Sequence, residues 1–229
     1  MAIGNTREAL AERSFLREGD IEISERAYNA IIGGVLLWGF LLNYLIVKLW
    51  GPGIINYAYR NGTGLILIGY FVSAFTGCFM VKSESPVLSF IGYNLIAVPV
   101  GILLSVYLDG YSPALVREAI LITGGITLVF LIAAMIYPDF FLSMGRVLGM
   151  GLTILIIGQI VCAIFFPAVS LAWLAAGLFA CFIGYDWARC SVCACTVDNA
   201  VDAAANLYLD IINLFLRVLE ILGKSKRRN

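Results

Sequence analysis

Seven apolar segments follow one another through the chain, each about as long as a membrane-crossing helix. A helix needs about 20 mainly apolar residues to cross the hydrocarbon core of a bilayer. Short polar, Pro- or Gly-containing stretches separate most of the segments, and no linker is long enough to divide the chain into separate soluble domains. The segments are Ala30–Trp50, Gly62–Val81, Val87–Leu108, Ala119–Tyr137, Val147–Phe166, Ala168–Tyr185 and Ala203–Leu222. The sequence therefore predicts an all-α, polytopic membrane protein.

Composition supports this class and excludes several others. The chain is 61% hydrophobic and 13% charged, whereas soluble domains are about 45–50% apolar and about 25% charged. There is no His, which excludes His-based catalytic triads and His-rich zinc sites. The formal net charge is zero, and nothing suggests nucleic-acid binding. We expect a polar cytoplasmic segment at 1–29, a membrane domain at 30–223 and a basic cytoplasmic tail at 224–229.

The last segment is the most unusual because its polar residues form a stripe. Asn206, Asp210, Asn213, Arg217 and Glu220 are spaced by 4, 3, 4 and 3 residues, so they share one face of a helix. A charged side chain at the centre of a lipid-facing helix costs about 2.5–3.5 kcal/mol on insertion scales. The stripe therefore favours a helix whose polar face is buried in a membrane bundle. An interfacial amphipathic helix and a soluble core helix are the alternatives.

The positions of Lys and Arg leave the course of the last segment open. The loops on the N-terminal side of the membrane hold seven basic residues, the opposite loops hold three, and the tail after Gly223 adds four. If the last segment crosses the membrane fully, each side carries seven basic residues. If it re-enters and returns, the count is eleven against three, which places both termini in the cytoplasm by the positive-inside rule.

Two carboxylates are candidates for a proton-sensitive site. Asp186 ends the sixth segment, and Asp210 lies in the last one, 24 residues further on. Ionisable residues inside membranes are functional candidates by default. Two carboxylates within hydrogen-bond reach cannot both ionise cheaply, so such a pair can share one proton near neutral pH and open when both ionise. The alternative is that Asp186 caps a helix end near the interface and never meets Asp210.

Three motifs resemble those of the Bax inhibitor-1 (transmembrane Bax-inhibitor-motif) family, in its bacterial type. Leu207-Tyr-Leu-Asp-Ile-Ile-Asn-Leu-Phe215 is similar to the C-terminal signature of that family, and Tyr185-Asp186 is similar to its motif at the end of the sixth span. Pro138-Asp139-Phe140 precedes the fifth span as in the family. The resemblance extends over roughly residues 30–223.

The resemblance implies a fold and an activity. It implies six transmembrane helices around a central seventh, with Asp186 and Asp210 paired on the cytoplasmic side. It also implies a pH-sensitive Ca²⁺ leak and, in eukaryotic members, roles in stress or cell-death regulation. We expect Asp186 and Asp210 to gate the leak. A transient, weak Ca²⁺ site is expected at these two residues, and Ca²⁺ is the expected permeant ion. Asn206, Asn213, Arg217 and Glu220 are expected to support the site, with Glu220 as the local partner of Arg217.

The chain departs from the family pattern in its second span. Some members pair an acid there with a basic residue at its end. Lys82 is the candidate basic partner, but Gly62–Val81 contains no acid. A second latch of that kind is therefore not expected from these residues.

Other functional classes remain as alternatives. A non-transporting regulator would bind membrane partners through its termini. An intramembrane aspartyl protease would also use two facing carboxylates, but the family with that activity requires Gly-x-Gly-Asp where this chain has Tyr208-Leu209-Asp210. We therefore expect a protein that is not an enzyme and needs no resident cofactor.

Its expected partners are the bilayer, Ca²⁺ and other membrane proteins. We expect it in a bacterial inner (plasma) membrane, with the endoplasmic reticulum as the alternative. The cluster Cys190, Cys193 and Cys195 is a weak redox or metal signal.

Overall fold

The computed structural model describes residues 21–166 and 169–228, and within these ranges the chain is almost entirely helical. In chain order the α-helices are α1 (Glu25–Leu45), α2 (Gly51–Asn61), α3 (Gly64–Met80), α4 (Pro86–Leu108), α5 (Pro113–Ile136), α6 (Pro138–Ser143), α7 (Gly145–Phe165), α8 (Ala172–Cys190) and α9 (Val197–Arg228). A π-helical turn, Ile46–Trp50, joins α1 to α2. The only extended pairing within the described residues is a single antiparallel bridge between Glu22 and Thr196.

Helices occupy all seven predicted segments, which confirms the all-α membrane fold. Four helices are long and apolar enough to cross a membrane, and a fifth, Gly64–Met80, is apolar but shorter. The four are Glu25–Asn61 (α1, the π turn and α2 together), Pro86–Leu108, Pro113–Ile136 and Gly145–Phe165. The helices α8 and α9 are less apolar because they carry the polar residues discussed below. Most of the polar N-terminal segment predicted at 1–29 lies outside the described residues.

The last segment is not re-entrant. The helix α9 is unbroken over 32 residues, which corresponds to about 48 Å at about 1.5 Å per residue. An unbroken helix cannot turn back within the membrane, so the re-entrant alternative is wrong. The basic residues then count seven against seven, and the charge rule no longer assigns a side to either terminus.

The chain divides into two compact units, which are described separately. The first comprises Met1–Ser112 and Val192–Tyr208, and the second comprises Pro113–Ser191 and Leu209–Asn229. In the first unit α1, α2 and α3 pack against α4. Gly77 and Gly92 allow the closest approach, because a Cβ on either would lie 2.6–2.7 Å from the backbone oxygen of the other.

A buried polar contact lies in the core of this first unit. Asn43 donates from Nδ2 to the hydroxyl of Tyr208 at 2.6 Å, and Tyr93 packs edge-on against the Tyr208 ring. Tyr93 donates its own hydroxyl proton to the carbonyl of Val35 at 2.9 Å. All three polar side chains are at most 4% exposed. Each of the three side chains therefore makes at least one hydrogen bond, as burial of polar groups favours, whereas Oδ1 of Asn43 has no partner among the described residues.

In the second unit α8 is the element against which α5, α6 and α7 pack. Glycines again set the spacing, because a Cβ at Gly184 would overlap the Phe141 ring and one at Gly145 would meet the Tyr185 ring at 2.7 Å. Ala134, Phe141 and Ala188 form a fully buried cluster beside these contacts. This packing holds the C-terminal half of α8, which carries Asp186, against its neighbours.

Candidate functional site: a buried aspartate pair

Asp186 lies inside α8 rather than at its end. The predicted span ended at Tyr185, but the helix continues to Cys190. The continuation is favoured by burial, since Ala188 is fully buried one turn beyond Gly184. Asp186 is 9% exposed, so the alternative that it merely caps a helix end at the interface is wrong.

The structure brings Asp186 and Asp210 together within the second unit. Their carboxyl groups lie close enough to hydrogen-bond if one of them is protonated, and Asp210 is 8% exposed. A carboxylate can only accept a hydrogen bond, so a bond between two carboxyls needs a proton on one of them. The geometry therefore fits a pair that holds one proton and carries one negative charge.

A cation next to the pair offsets part of that charge. Arg189 lies one turn beyond Asp186 on α8, with Nη1 3.8 Å from Oδ1 of Asp186. The sequence reading missed Arg189, because it placed this residue in a loop beyond the end of the sixth span. The spacing of three residues in a helix was the signal that could have found it.

One oxygen of the pair receives no hydrogen bond from an N–H or O–H donor. Oδ2 of Asp210 is buried, and no such donor among the described residues reaches it. A buried acceptor without a donor costs free energy comparable to a lost hydrogen bond. A proton shared with Asp186 would supply that donor.

The other residues of the polar stripe do not converge on the pair. Asn206 is half-buried, and Asn213 donates from Nδ2 to the carbonyl of Leu209 at 2.8 Å. Arg217 pairs with Glu220 at 3.1 Å, which is the partner expected from their spacing. Within the stripe Asp210 is buried, whereas Asn206, Asn213, Arg217 and Glu220 are half-buried.

The structure shows no preformed metal cluster near the aspartates. Within the described residues, no group of three or more Cys, Asp or Glu side chains is placed to hold a metal ion. Two carboxylates fall well short of the six to eight oxygens that Ca²⁺ takes. Lys82 is exposed in the turn after α3, and Cys190, Cys193 and Cys195 form no disulfide.

Two further acidic residues of α9 were missed by the sequence reading. Asp202 is 3% exposed, and Asp198 accepts a 2.7 Å hydrogen bond from the hydroxyl of Ser89. They lie four and eight residues before Asn206, so they continue the spacing of the stripe toward the start of α9. The predicted segment began at Ala203, which excluded them.

An all-helical, polytopic membrane fold with two buried aspartates close to each other defines a class of integral membrane proteins with ionisable residues in the core. The family described as "Inhibitor of apoptosis-promoting Bax1" (Bax1-I) matches residues 21–227. The chain belongs to this Bax inhibitor-1 family, as its C-terminal motif indicated.

Relatives and solved structures add little detail. An uncharacterized protein of Helicobacter pylori is 25% identical to the chain over 229 residues, covering 96% of this chain and 94% of the relative. No solved structure matches.

Proposed function

We propose that the chain is a pH-sensitive cation leak of the Bax inhibitor-1 type, with Ca²⁺ as the permeant ion. The observation that carries the proposal is the close approach of the buried carboxyls of Asp186 and Asp210. Membership of the Bax inhibitor-1 family supports it. The protein acts without enzymatic turnover, and the pair serves as its proton-responsive element.

Loss of the shared proton would push the two carboxyls apart. Two unit charges at about 4 Å repel by about 4 kcal/mol at the effective dielectric constant near 20 that describes protein sites. A change of that size alters a two-state equilibrium by about a thousandfold. Asp186 is on α8 and Asp210 is on α9, so ionisation of both favours separation of these helices and raises ion flux as pH increases.

A sparse site suits a leak better than a tight one. Conduction requires that an ion bind well enough to enter and weakly enough to leave. Asp186 and Asp210 with backbone carbonyls offer a transient Ca²⁺ site of this kind.

Ca²⁺ flux into liposomes tests this proposal. Full-length protein is reconstituted with an internal Ca²⁺ dye, and flux is measured from pH 5 to pH 8 for wild type, Asp186→Asn, Asp210→Asn and a control, Asp139→Asn. Asp139 lies exposed in α6, so its variant changes the same chemistry outside the pair. We expect flux to rise with pH in wild type and the control, and to lose its pH dependence in the other two variants.

Other outcomes of these experiments would reject the leak or indicate a different function. Flux equal to that of empty liposomes across the range would remove the leak proposal. A protease would instead show a cleaved membrane substrate that is lost in both Asn variants of the pair. A regulator would keep its cellular phenotype in these variants and lose it when the basic tail is removed.

We further propose that the protein resides in a bacterial inner membrane, with the endoplasmic reticulum as the alternative. The similarity to a Helicobacter pylori protein supports a bacterial setting. Fractionation of the native host's membranes, with detection of the untagged chain, tests this location.

A further inference from the structure

A cavity of about 230 Å³ lies within the second unit, away from the aspartate pair. The end of α7, the segment leading into α8 and the last turns of α9 form its walls. Its polar lining consists of Gln159, Ser170, Arg217, Glu220 and Lys224, and the remaining lining residues are small or apolar. The lining of the cavity therefore combines polar and charged side chains with apolar ones.

Glu220 is the only acid in the lining, and its oxygens are already engaged. Oε1 accepts from the hydroxyl of Ser170 and from Nζ of Lys224, both at 2.8 Å. Oε2 accepts from Nη1 of Arg217 at 3.1 Å. A carboxylate has about four acceptor positions, so little acceptor capacity is left.

The cations have donors to spare. Arg217 uses Nη1 for Glu220 and Nη2 for the amide oxygen of Gln159 at 3.2 Å. Its Nε is buried without a hydrogen-bond partner among the described residues. A guanidinium has five N–H donors and an ammonium three, so Arg217 and Lys224 retain several unused donors around the cavity.

The net charge of the lining also favours binding of an anion. Arg217 and Lys224 against Glu220 leave one net positive charge in the lining. A buried donor without an acceptor is costly, and a partly buried cation in excess attracts an anion. The planar fork of Arg matches oxyanions, which it can bind through two parallel hydrogen bonds.

We propose that this cavity binds a phosphate group, carried either by a free anion or by the headgroup of an anionic phospholipid. Arg217 and Lys224 donate to the phosphate oxygens, in competition with the carboxylate of Glu220, which lies between them on the same face of α9 and contacts both. The apolar wall is compatible with the glycerol and upper acyl chain of a lipid. Phosphate binding is measured without ion flux, so its test is independent of the test of the proposed Ca²⁺ leak.

Binding is tested on full-length protein in neutral detergent micelles. The free-anion arm measures stabilisation against heat by inorganic phosphate, with chloride at matched ionic strength as the reference. The lipid arm uses native mass spectrometry to count retained phosphatidylglycerol against diacylglycerol, which has the same acyl chains and no phosphate. A response to phosphate alone assigns a soluble ligand, and retention of phosphatidylglycerol alone assigns the lipid.

Three variants make the test specific. Lys224→Gln removes one charge-assisted donor, and we expect it to weaken binding roughly tenfold. Glu220→Gln removes the competing carboxylate charge, and we expect it to strengthen binding. Lys226→Gln is the matched control, because Lys226 is largely exposed, pairs with Glu118 at 3.8 Å and does not line the cavity.

Opposite effects of Lys224→Gln and Glu220→Gln are not expected from a merely structural cluster, in which both changes would only destabilise the protein. The proposal is overturned if neither phosphate nor phosphatidylglycerol binds in preference to its reference. It is also overturned if Lys226→Gln weakens binding as much as Lys224→Gln, or if Glu220→Gln weakens binding.

Discussion

The guanidinium of Arg189 lies one helical turn beyond Asp186, with Nη1 3.8 Å from Oδ1 of the carboxyl. A nearby positive charge favours the ionised form of a carboxyl. Arg189 therefore helps the aspartate pair to give up its shared proton. This contact makes Arg189 a tuning residue of the pair, and its own guanidinium stays protonated throughout.

We predict that Arg189→Gln makes the pair hold its proton to higher pH. The midpoint of the pH-dependent Ca²⁺ flux should move upward by about one pH unit, the lower end of the effect of an adjacent Arg on a carboxyl. Liposome flux from pH 5 to pH 9 measures it. Arg146→Gln, which changes an exposed Arg of α7, should leave the midpoint in place, and an unchanged midpoint in Arg189→Gln would contradict the tuning role.

The sequence predicted the helices well because their signal is local. Each apolar run corresponds to a helix, but α2 was missed because Gly51-Pro52-Gly53 was taken as a stop. Pro52 occupies the first turn of α2, where its missing N–H costs nothing and its fixed φ suits a helix. The end of α8 was placed too early because Asp186 was taken as leaving the membrane, whereas Ala188 beyond it is buried.

The candidate site was predictable only in part, because its contacts join residues that are far apart in the sequence. The pairing of Asp186 with Asp210 followed from the motif resemblance, and spacing alone left it open. The contact between Asn43 and Tyr208 joins residues 165 positions apart, and no periodic pattern links such positions. Their polarity in apolar surroundings was visible in the sequence, but the partner of each was not.

We predict that Tyr208→Phe destabilises the protein by about 1–3 kcal/mol. The change leaves Nδ2 of Asn43 buried without its acceptor, and loss of one partner of a buried hydrogen bond has a cost of that size. Asn43→Leu combined with Tyr208→Phe should recover part of the loss, since both polar groups are then replaced. Unfolding by denaturant in micelles measures the free energies.

Tyr44→Phe is the control for this cycle. Tyr44 lies on α1 like Asn43, but it is 55% exposed and its hydroxyl accepts from Lys48 at 3.0 Å. This hydrogen bond joins two residues one turn apart and no second helix, so its loss should cost less than that of the buried contact. If Tyr44→Phe costs as much as Tyr208→Phe, the buried contact is not what stabilises this core.

Gly39 is predicted to be intolerant of a side chain. A Cβ at this position would overlap Oη of Tyr93 and lie 3.1 Å from Cδ2 of Tyr208. Tyr93 is held by its hydrogen bond to Val35, so its ring cannot move without losing that bond. Gly39→Ala should therefore destabilise by about 1–3 kcal/mol, the usual cost of overpacking.

The comparison for Gly39 is a glycine on the same helix with open space around it. A Cβ at Gly34 would meet nothing within 4 Å, and replacing a helix-interior Gly by Ala gains about 0.5–1 kcal/mol. Gly34→Ala should thus be neutral or stabilising in the same unfolding assay. Equal losses in both variants would show that α1 needs glycine for its backbone and not for the contact with Tyr93.

Cys195 is predicted to be a slow nucleophile, which argues against a redox role for it. It lies in the turn before α9. Burial raises the pKa of its thiol, and the nearby carboxylates of Glu25 and Glu22 raise it further. A raised pKa leaves less thiolate at neutral pH, and the thiolate is the reactive form. Its alkylation by iodoacetamide at pH 7.4 should be slower than that of free cysteine, as followed site by site with mass spectrometry.

The acids near Cys195 give this prediction a direct test. Glu25→Gln removes one repelling charge, so the thiolate fraction should rise and alkylation should accelerate about two- to threefold, the effect of about 0.5 kcal/mol for a partly exposed charge pair. Glu84→Gln, an exposed acid in the turn between α3 and α4, should change nothing. Equal rates in wild type and Glu25→Gln would mean that the carboxylate of Glu25 does not contribute to the raised pKa of Cys195.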